Sequence, residues 1–199
     1  MTPGDEIDNG AMARAIADVV AKQQITEVIY RYCRGIDRMD RAMALSAFHA
    51  GAVVDFGELF QGNCTDLMDR AWAVHETMLA HSHQVSNILI ELDGNRAVSE
   101  SYYTAALRTL GEHESIVQLT GRGRYLDEWS CRDGRWAMDR RVVVRDFSDR
   151  RTVTDGSFAA GAVSLVDTDG SFVTASSARR DESDPSYQFF SKKINTASG

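Results

Sequence analysis

Between Gln84 and Phe147 the chain reads as four long alternating segments joined by tight turns, and this run limits the fold more than any other feature. The segments are Gln84–Leu92, Arg96–Leu110, Ser115–Ser130 and Arg135–Phe147. Apolar and polar residues alternate along them, the period of a strand with one buried face. Asp93-Gly94-Asn95 and Arg132-Asp133-Gly134 supply the residues that tight hairpins need, and His113 lies in a looser turn, Gly111–Glu114. Hairpins in succession predict one antiparallel meander.

The upstream residues have a different period. Ile25, Val28, Ile29, Tyr32, Cys33 and Ile36 recur at helical spacing and predict a long helix from about Ala11 to Met39. A second helix is expected over Arg41–His49, with Leu45 and Phe48 inward, then a strand over Ala52–Phe56. Thr65 is the expected cap of a third helix, whose stripe is Leu67, Met68, Ala71, Trp72, Val74, His75, Met78 and Leu79. Helices segregated from an antiparallel sheet make an α+β domain. It is expected over residues 11–151, after a disordered lead-in at 1–10 and before a C-terminal extension at 152–199 rich in Ser, Thr, Ala, Gly and Asp. In the extension, Thr154-Asp155-Gly156 and Thr168-Asp169-Gly170 flank Ala159–Val166, which suggests a loose hairpin or an extended arm. Asp184-Pro185-Ser186-Tyr187 and Phe189-Phe190 are suited to dock on the body or on a neighbouring subunit.

Composition narrows the function. A net charge of −7 argues against a nucleic-acid partner, whose phosphates require a basic surface. Three cysteines without a CxxC argue against a disulfide framework or a structural zinc. The first residues lack the apolar core of a signal peptide, and no run approaches the roughly 18 apolar residues of a membrane span, so a cytoplasmic location is expected. GxSxG, GxxxxGK[ST] and HExxH are all absent.

Several residues are candidates for chemistry. Asp37 lies four positions past Cys33, beside the buried stripe, yet also belongs to a charge cluster with Arg34, Arg38, Asp40 and Arg41. Strand periodicity puts His81, His83, Val85 and Asn87 on one face and does not separate the two histidines. Two histidines and an acid can ligate a metal, but no third ligand stands at a diagnostic spacing, so no metal is expected. Gly121-Arg122-Gly123-Arg124 falls within a strand, where glycines mark bending or close packing. In the last strand, alternation puts Trp136, Met138 and Arg140 on one face and Ala137, Asp139 and Arg141 on the other. An arginine there serves either a cavity floor or a salt bridge across the sheet.

The ordered succession YRYCRGIDRMD, AFHAGAVVDFG, SHQVSNILIELDGNRAVSESYY, GRYLDEW and DGRWAMDRRVVVRDF resembles the SnoaL-like branch of the nuclear transport factor 2-like superfamily over about residues 20–150. The resemblance implies a cone-shaped, curved antiparallel sheet, with three N-terminal helices enclosing a pocket. Enzymes of this type include scytalone dehydratase, hexachlorocyclohexane dehydrochlorinase, bile-acid 7α-dehydratase, ketosteroid isomerase, polyketide cyclases and a lyase of lignin-derived diarylpropanes. They typically use no metal or cofactor, and several are trimers; the superfamily also holds non-enzymatic binding domains. In its dehydratases an Asp ending the first helix pairs with a His opening a long strand, positions matched by Asp37 and His83. Tyr32 matches a Tyr five residues before that Asp, and Arg141, with Arg140 as the neighbouring alternative, matches an Arg of the last strand. Phe56 stands where some dehydratases carry a Tyr. His81 is left as a rim or structural residue. The resemblance thus implies a cofactor-free lyase acting on a hydroxylated aromatic or polycyclic molecule, by dehydration or by C–C cleavage releasing a small aldehyde. Its expected pocket lining is Phe56, Trp72, Asn87, Tyr103, Tyr125 and Trp129. A ketosteroid-type isomerase and a non-catalytic ligand-binding module are the alternatives. A homo-oligomer is expected, a trimer or else a dimer.

Overall fold

A computed structural model describes residues 9–153, 164–166, 172–174 and 178–191. Helix α1 spans Asn9–Asp37 and α2 Arg41–Ser46; β1 covers Phe48–Asp55, and a 3-10 turn at Gly57–Leu59 leads into β2, Gln61–Asn63. Helix α3, Cys64–His75, precedes four long strands: β3 (Ala80–Asp93), β4 (Arg96–Leu110), β5 (Ile116–Arg132) and β6 (Arg135–Val153). A short hairpin of β7 (Ser164–Val166) and β8 (Phe172–Thr174) and helix α4 (Pro185–Ser191) follow. No described helix is long and apolar enough to cross a membrane.

The large sheet has the order β2-β1-β6-β5-β4-β3. β3 to β6 form the expected antiparallel meander, while β1 joins β6 in parallel. The α+β class is as the periodicities implied, and the curved sheet closed by helices is as the resemblance implied. Individual boundaries differ. Phe48 and His49 belong to β1 rather than α2, and Ala47 ends the helix. Asn63, not Thr65, caps α3, accepting from the Asp66 backbone N–H at 2.8 Å. Asn9 and Gly10, placed in the lead-in by sequence, form the first turn of α1. The rest of that segment and both Thr-Asp-Gly turns of the extension lie outside the described residues.

One face of α1 (Ile25, Ile29, Tyr32, Cys33 and Ile36) packs on Phe48, Met68, Trp129 and Met138 to form the core. Each fully buried large apolar side chain there contributes about 1.5–3 kcal/mol. Cys33 sits in it as an inert thiol, its pKa pushed up to about 12 by burial. Two irregularities decide which residues face the concave side. In β3 the pairing slips between Ser86 and Leu89, where Asn87 takes a left-handed backbone (φ 49). In β6, Glu128 pairs with Arg140 but Trp129 with Met138, so Asp139 is the extra residue of a bulge. Each bulge reverses the inward parity. His81, His83 and Val85 face in before the first one and Ile88, Ile90 and Leu92 after it; Met138 faces in before the second and Arg141 after it.

Candidate active site

Asp37 is the last residue of α1, and the chain leaves the helix at once. Met39 takes a left-handed conformation (φ 54), the Asp40 N–H donates back to the Gly35 carbonyl at 2.8 Å, and the Asp40 carboxylate caps α2 through the Met43 N–H at 2.9 Å. A side chain at Gly35 would meet the Ala44 backbone nitrogen at 2.5 Å, so only glycine lets the two helices approach. This tight corner delivers Asp37 to the start of β3. There the carboxylate takes two bonds from one residue: Oδ2 accepts from the His83 backbone N–H at 2.9 Å, and Oδ1 pairs with His83 Nδ1 at 2.7 Å. Burial pushes the Asp37 carboxyl up, but the His81 and His83 imidazoles and the His83 N–H outweigh it, and its pKa lies below the ordinary value. An ionised Asp37 makes Nδ1 of His83 the protonated nitrogen and leaves the lone pair on Nε2.

His81 is not at the rim. Its side chain is fully enclosed, with Nδ1 3.6 Å from Asp37 Oδ1. The His75 ring stacks on it, with centroids 4.6 Å apart. Burial, reinforced by the two neighbouring imidazoles, lowers the His75 pKa to about 4, so this ring is neutral at neutral pH. The sequence offered His75 only as part of an apolar helical stripe.

Arg141 faces inward and Arg140 outward, the latter meeting Glu128 at 3.1 Å. Arg141 is wholly buried and binds Asp127 through both oxygens, Nε at 2.7 Å and Nη2 at 2.8 Å. Burial works against its charge, but the Asp127 carboxylate prevails and holds it protonated. The guanidinium lies 4.1 Å from the Tyr125 ring centroid and 4.4 Å from that of Tyr32, two cation–π contacts. Asp127 was missed from sequence, although Tyr125, Asp127 and Trp129 share one strand face. An acid between two inward aromatics is a signal of a buried cation.

His83 lines a cavity of about 600 Å³ together with Phe56, Tyr103, Tyr125, Val143 and Arg145. Tyr103 and Tyr125 stack there at 4.5 Å. Gly123 makes that stack possible, since a Cβ would stand 3.0 Å from the Tyr103 ring and 2.0 Å from the Val144 carbonyl oxygen. The GRGR run is therefore a site of close packing. Of the expected lining, Phe56, Tyr103 and Tyr125 gather around His83, and three residues do not. Asn87 is exposed at the β3 bulge, Trp72 packs on the core from α3, and Trp129 is buried, donating from Nε1 to Ser99 Oγ at 2.9 Å. Alternation carried through a bulge misplaces Asn87; large aromatics with a core to fill account for the other two. Tyr32, 5% exposed, lies behind Tyr125, edge-on at 6.4 Å, and is not among the cavity-lining residues.

On its other side the dyad borders a second groove of about 370 Å³, lined by Arg31, Arg34, Asp37, Arg38, His83 and Phe190. The Asp184–Tyr187 segment docks here on the chain's own body. Asp184 pairs with Arg38 at 3.2 Å, Ser186 accepts from Arg34 at 3.1 Å, and the Tyr187 hydroxyl donates to Asp40 at 3.3 Å. Arg180 ties the strap to the end of α3, donating to the His75 and Met78 carbonyls at 2.7 Å each.

Several solved structures share this architecture. A protein provisionally named a scytalone dehydratase, from Novosphingobium aromaticivorans DSM 12444, superposes with a TM-score of 0.62 at 20% identity, over 70% of this chain and 93% of its own. A type 2 hexachlorocyclohexane dehydrochlorinase (LinA) gives 0.59 at 13% identity over 69% and 93%. The type 3 enzyme of Novosphingobium barchaimii LL02 gives 0.57 at 14% over 69% and 94%. At these identities the likeness is one of fold. Among curated proteins, none matches the sequence. The SnoaL-like domain description matches residues 17–142, from the first third of α1 into β6, and the chain belongs to the SnoaL-like domain family.

Proposed function

We propose that this protein is a cofactor-independent lyase acting on a hydroxylated aromatic or polycyclic small molecule, with His83 as its base. One observation carries the reading: His83 gives Nδ1 to Asp37 at 2.7 Å while its ring lines the aromatic cavity. The carboxylate fixes the tautomer and stabilises the imidazolium formed when Nε2 takes a substrate proton. The walls, Phe56, Tyr103, Tyr125 and Val143, suit a flat apolar ligand with few polar groups. Tyr125 supplies the hydrogen bond to the departing hydroxyl or developing oxyanion. Burial holds its pKa well above the ordinary phenol value, so it remains a donor, and Arg141 beneath the ring stabilises negative charge arising there. Tyr32, in contact with both, is a positioning residue. Loss of water is the default outcome. A benzylic hydroxyl also allows C–C cleavage with release of a small aldehyde, since both routes need one base and one donor; such a role lies in aromatic-compound catabolism in the cytoplasm. The convex face of the sheet exposes Leu89, Val98, Tyr102 and Phe147, the apolar surface by which we expect the chain to form a trimer.

The experiment is a panel of hydroxylated aromatic and polycyclic compounds incubated with the protein and resolved by mass spectrometry. A product lighter by one water, or by one small aldehyde, supports the lyase. A product of unchanged mass supports an isomerase, and a ligand bound and recovered intact supports a binding module; either one overturns the reading.

A further inference from the structure

His81 poses a problem that the dyad leaves unsolved. Its side chain is 0% exposed, and neither ring nitrogen has a hydrogen-bond partner among the described residues. A buried polar atom without a partner costs about 1–3 kcal/mol, so such groups in native proteins usually serve a ligand, a water or an ion. Its Nδ1 is aimed at Asp37 Oδ1 from 3.6 Å, beyond hydrogen-bond length, and His83 Nδ1 approaches the same oxygen at 2.7 Å. One ligand atom from each of Asp37, His81 and His83 lies within 4.8 Å of the other two. The third ligand that the histidine spacing failed to show comes from α1. The surroundings hold the set in place. The His83 N–H fixes the other carboxylate oxygen at 2.9 Å, which leaves Oδ1 for the shared centre, and the His75 ring fixes the plane of His81.

We propose that Asp37 Oδ1, His81 Nδ1 and His83 Nδ1 form a binding site for a divalent ion of the zinc type. Two imidazoles and one carboxylate favour late first-row ions over magnesium or calcium. Three protein ligands leave a fourth position, open toward the groove that Asp37 and His83 both line. Bonds of about 2.0–2.2 Å need only small side-chain rotations from the observed separations. On binding, the ion takes the place of the proton between His83 Nδ1 and Asp37 Oδ1, and the ring shifts tautomer, carrying its one proton on Nε2 while it coordinates as a neutral imidazole. Occupancy removes the bond that orients His83, so the ion inhibits the lyase; this consequence, unlike binding itself, rests on the function proposed above.

The test uses tag-free, full-length protein stripped with EDTA. Calorimetric titration with Zn²⁺ is expected to give one ion per chain, and Co²⁺ to give visible d–d bands. His81→Ala and Asp37→Asn should each weaken Zn²⁺ binding by more than about 100-fold, whereas His75→Phe, which keeps a ring against His81 and removes no ligand, should cost clearly less than either. X-ray absorption of the zinc-loaded wild type should show two imidazoles and one further oxygen from the protein, a result that needs no variant to fold. Failure of Zn²⁺ to saturate, full affinity in a folded His81→Ala protein, or an imidazole count other than two overturns the site. Turnover by the EDTA-treated protein tests the base separately: turnover that Asp37→Asn leaves unchanged counts against the base and not against the metal site.

Discussion

Replacing Arg141 with methionine removes one half of an ion pair that has no access to water. Both side chains are 0% exposed and the contact is bidentate, at 2.7 and 2.8 Å. Asp127 is then left as an uncompensated charge among Trp129, Tyr125 and Tyr32. Breaking a buried pair from one side costs about 3–5 kcal/mol. At roughly 2–4 °C per kcal/mol for a domain of this size, the melting temperature falls by roughly 6–20 °C. Asp127→Leu strands the arginine and costs a similar amount. The double variant, Asp127→Leu with Arg141→Met, removes both charges and replaces them with apolar volume, so it loses less than either single change. The assay is urea denaturation of all four proteins, read as a double-mutant cycle. A single-variant loss below about 1 kcal/mol, or strictly additive losses, would show that the pair is solvated and refute the reasoning.

Gly123→Ala forces a Cβ to within 2.0 Å of the Val144 carbonyl oxygen and 3.0 Å of the Tyr103 ring, so a loss of about 1–3 kcal/mol and weaker binding of aromatic ligands are expected in denaturation and fluorescence titration. The pH dependence of the metal-free protein should carry the signature of His75. The unfolded chain protonates this imidazole near pH 6.5 and the folded one only at about 4, so its contribution is complete above 6.5, declines as pH falls through that window, and changes no further below it. His75→Gln should flatten that limb of the stability curve, and an unchanged limb contradicts the assignment. Asp184 is held well below the ordinary carboxyl range: burial raises its pKa, but the Ser186 hydroxyl, the Arg179 and Ser186 backbone N–H groups and Arg38 lower it further. Asp184→Asn should therefore release the strap, seen as faster proteolysis around Arg179 and Arg180 with the melting temperature of the body nearly unchanged.

The legible part of this molecule is the part written in periodicity. Four alternating segments with Asp-Gly and Gly-Asn turns produced β3 to β6, and the spacing of Ile25, Ile29, Tyr32 and Ile36 produced the buried face of α1. Asp37 and His83 came from the resemblance, which kept track of order along the chain where local pattern left the two histidines equivalent. Parity was lost wherever a bulge interrupted it. Asn87 turned outward because its own backbone forms the bulge, and Arg141 turned inward only because Asp139 is inserted before it. Alternation counts residues, whereas the sheet counts hydrogen-bonded pairs, and the two disagree by one after each bulge. Contacts between distant elements left still less trace. His75 reads as an apolar helix position until β3 places His81 beneath it, and Asp127 reads as one acid among many until Arg141 arrives from the next strand.

The central claim is that His83, oriented by Asp37, moves the substrate proton. The most direct measurement is kcat/KM for wild type, His83→Ala and Asp37→Asn on the compound the panel identifies, with circular dichroism confirming the fold of each. The account predicts losses of about 10²–10⁴-fold in both variants, carried mainly by kcat, since the pair acts on the developing charge rather than on the bound substrate. Folded variants that turn over at the wild-type rate, or that change KM alone, would contradict it.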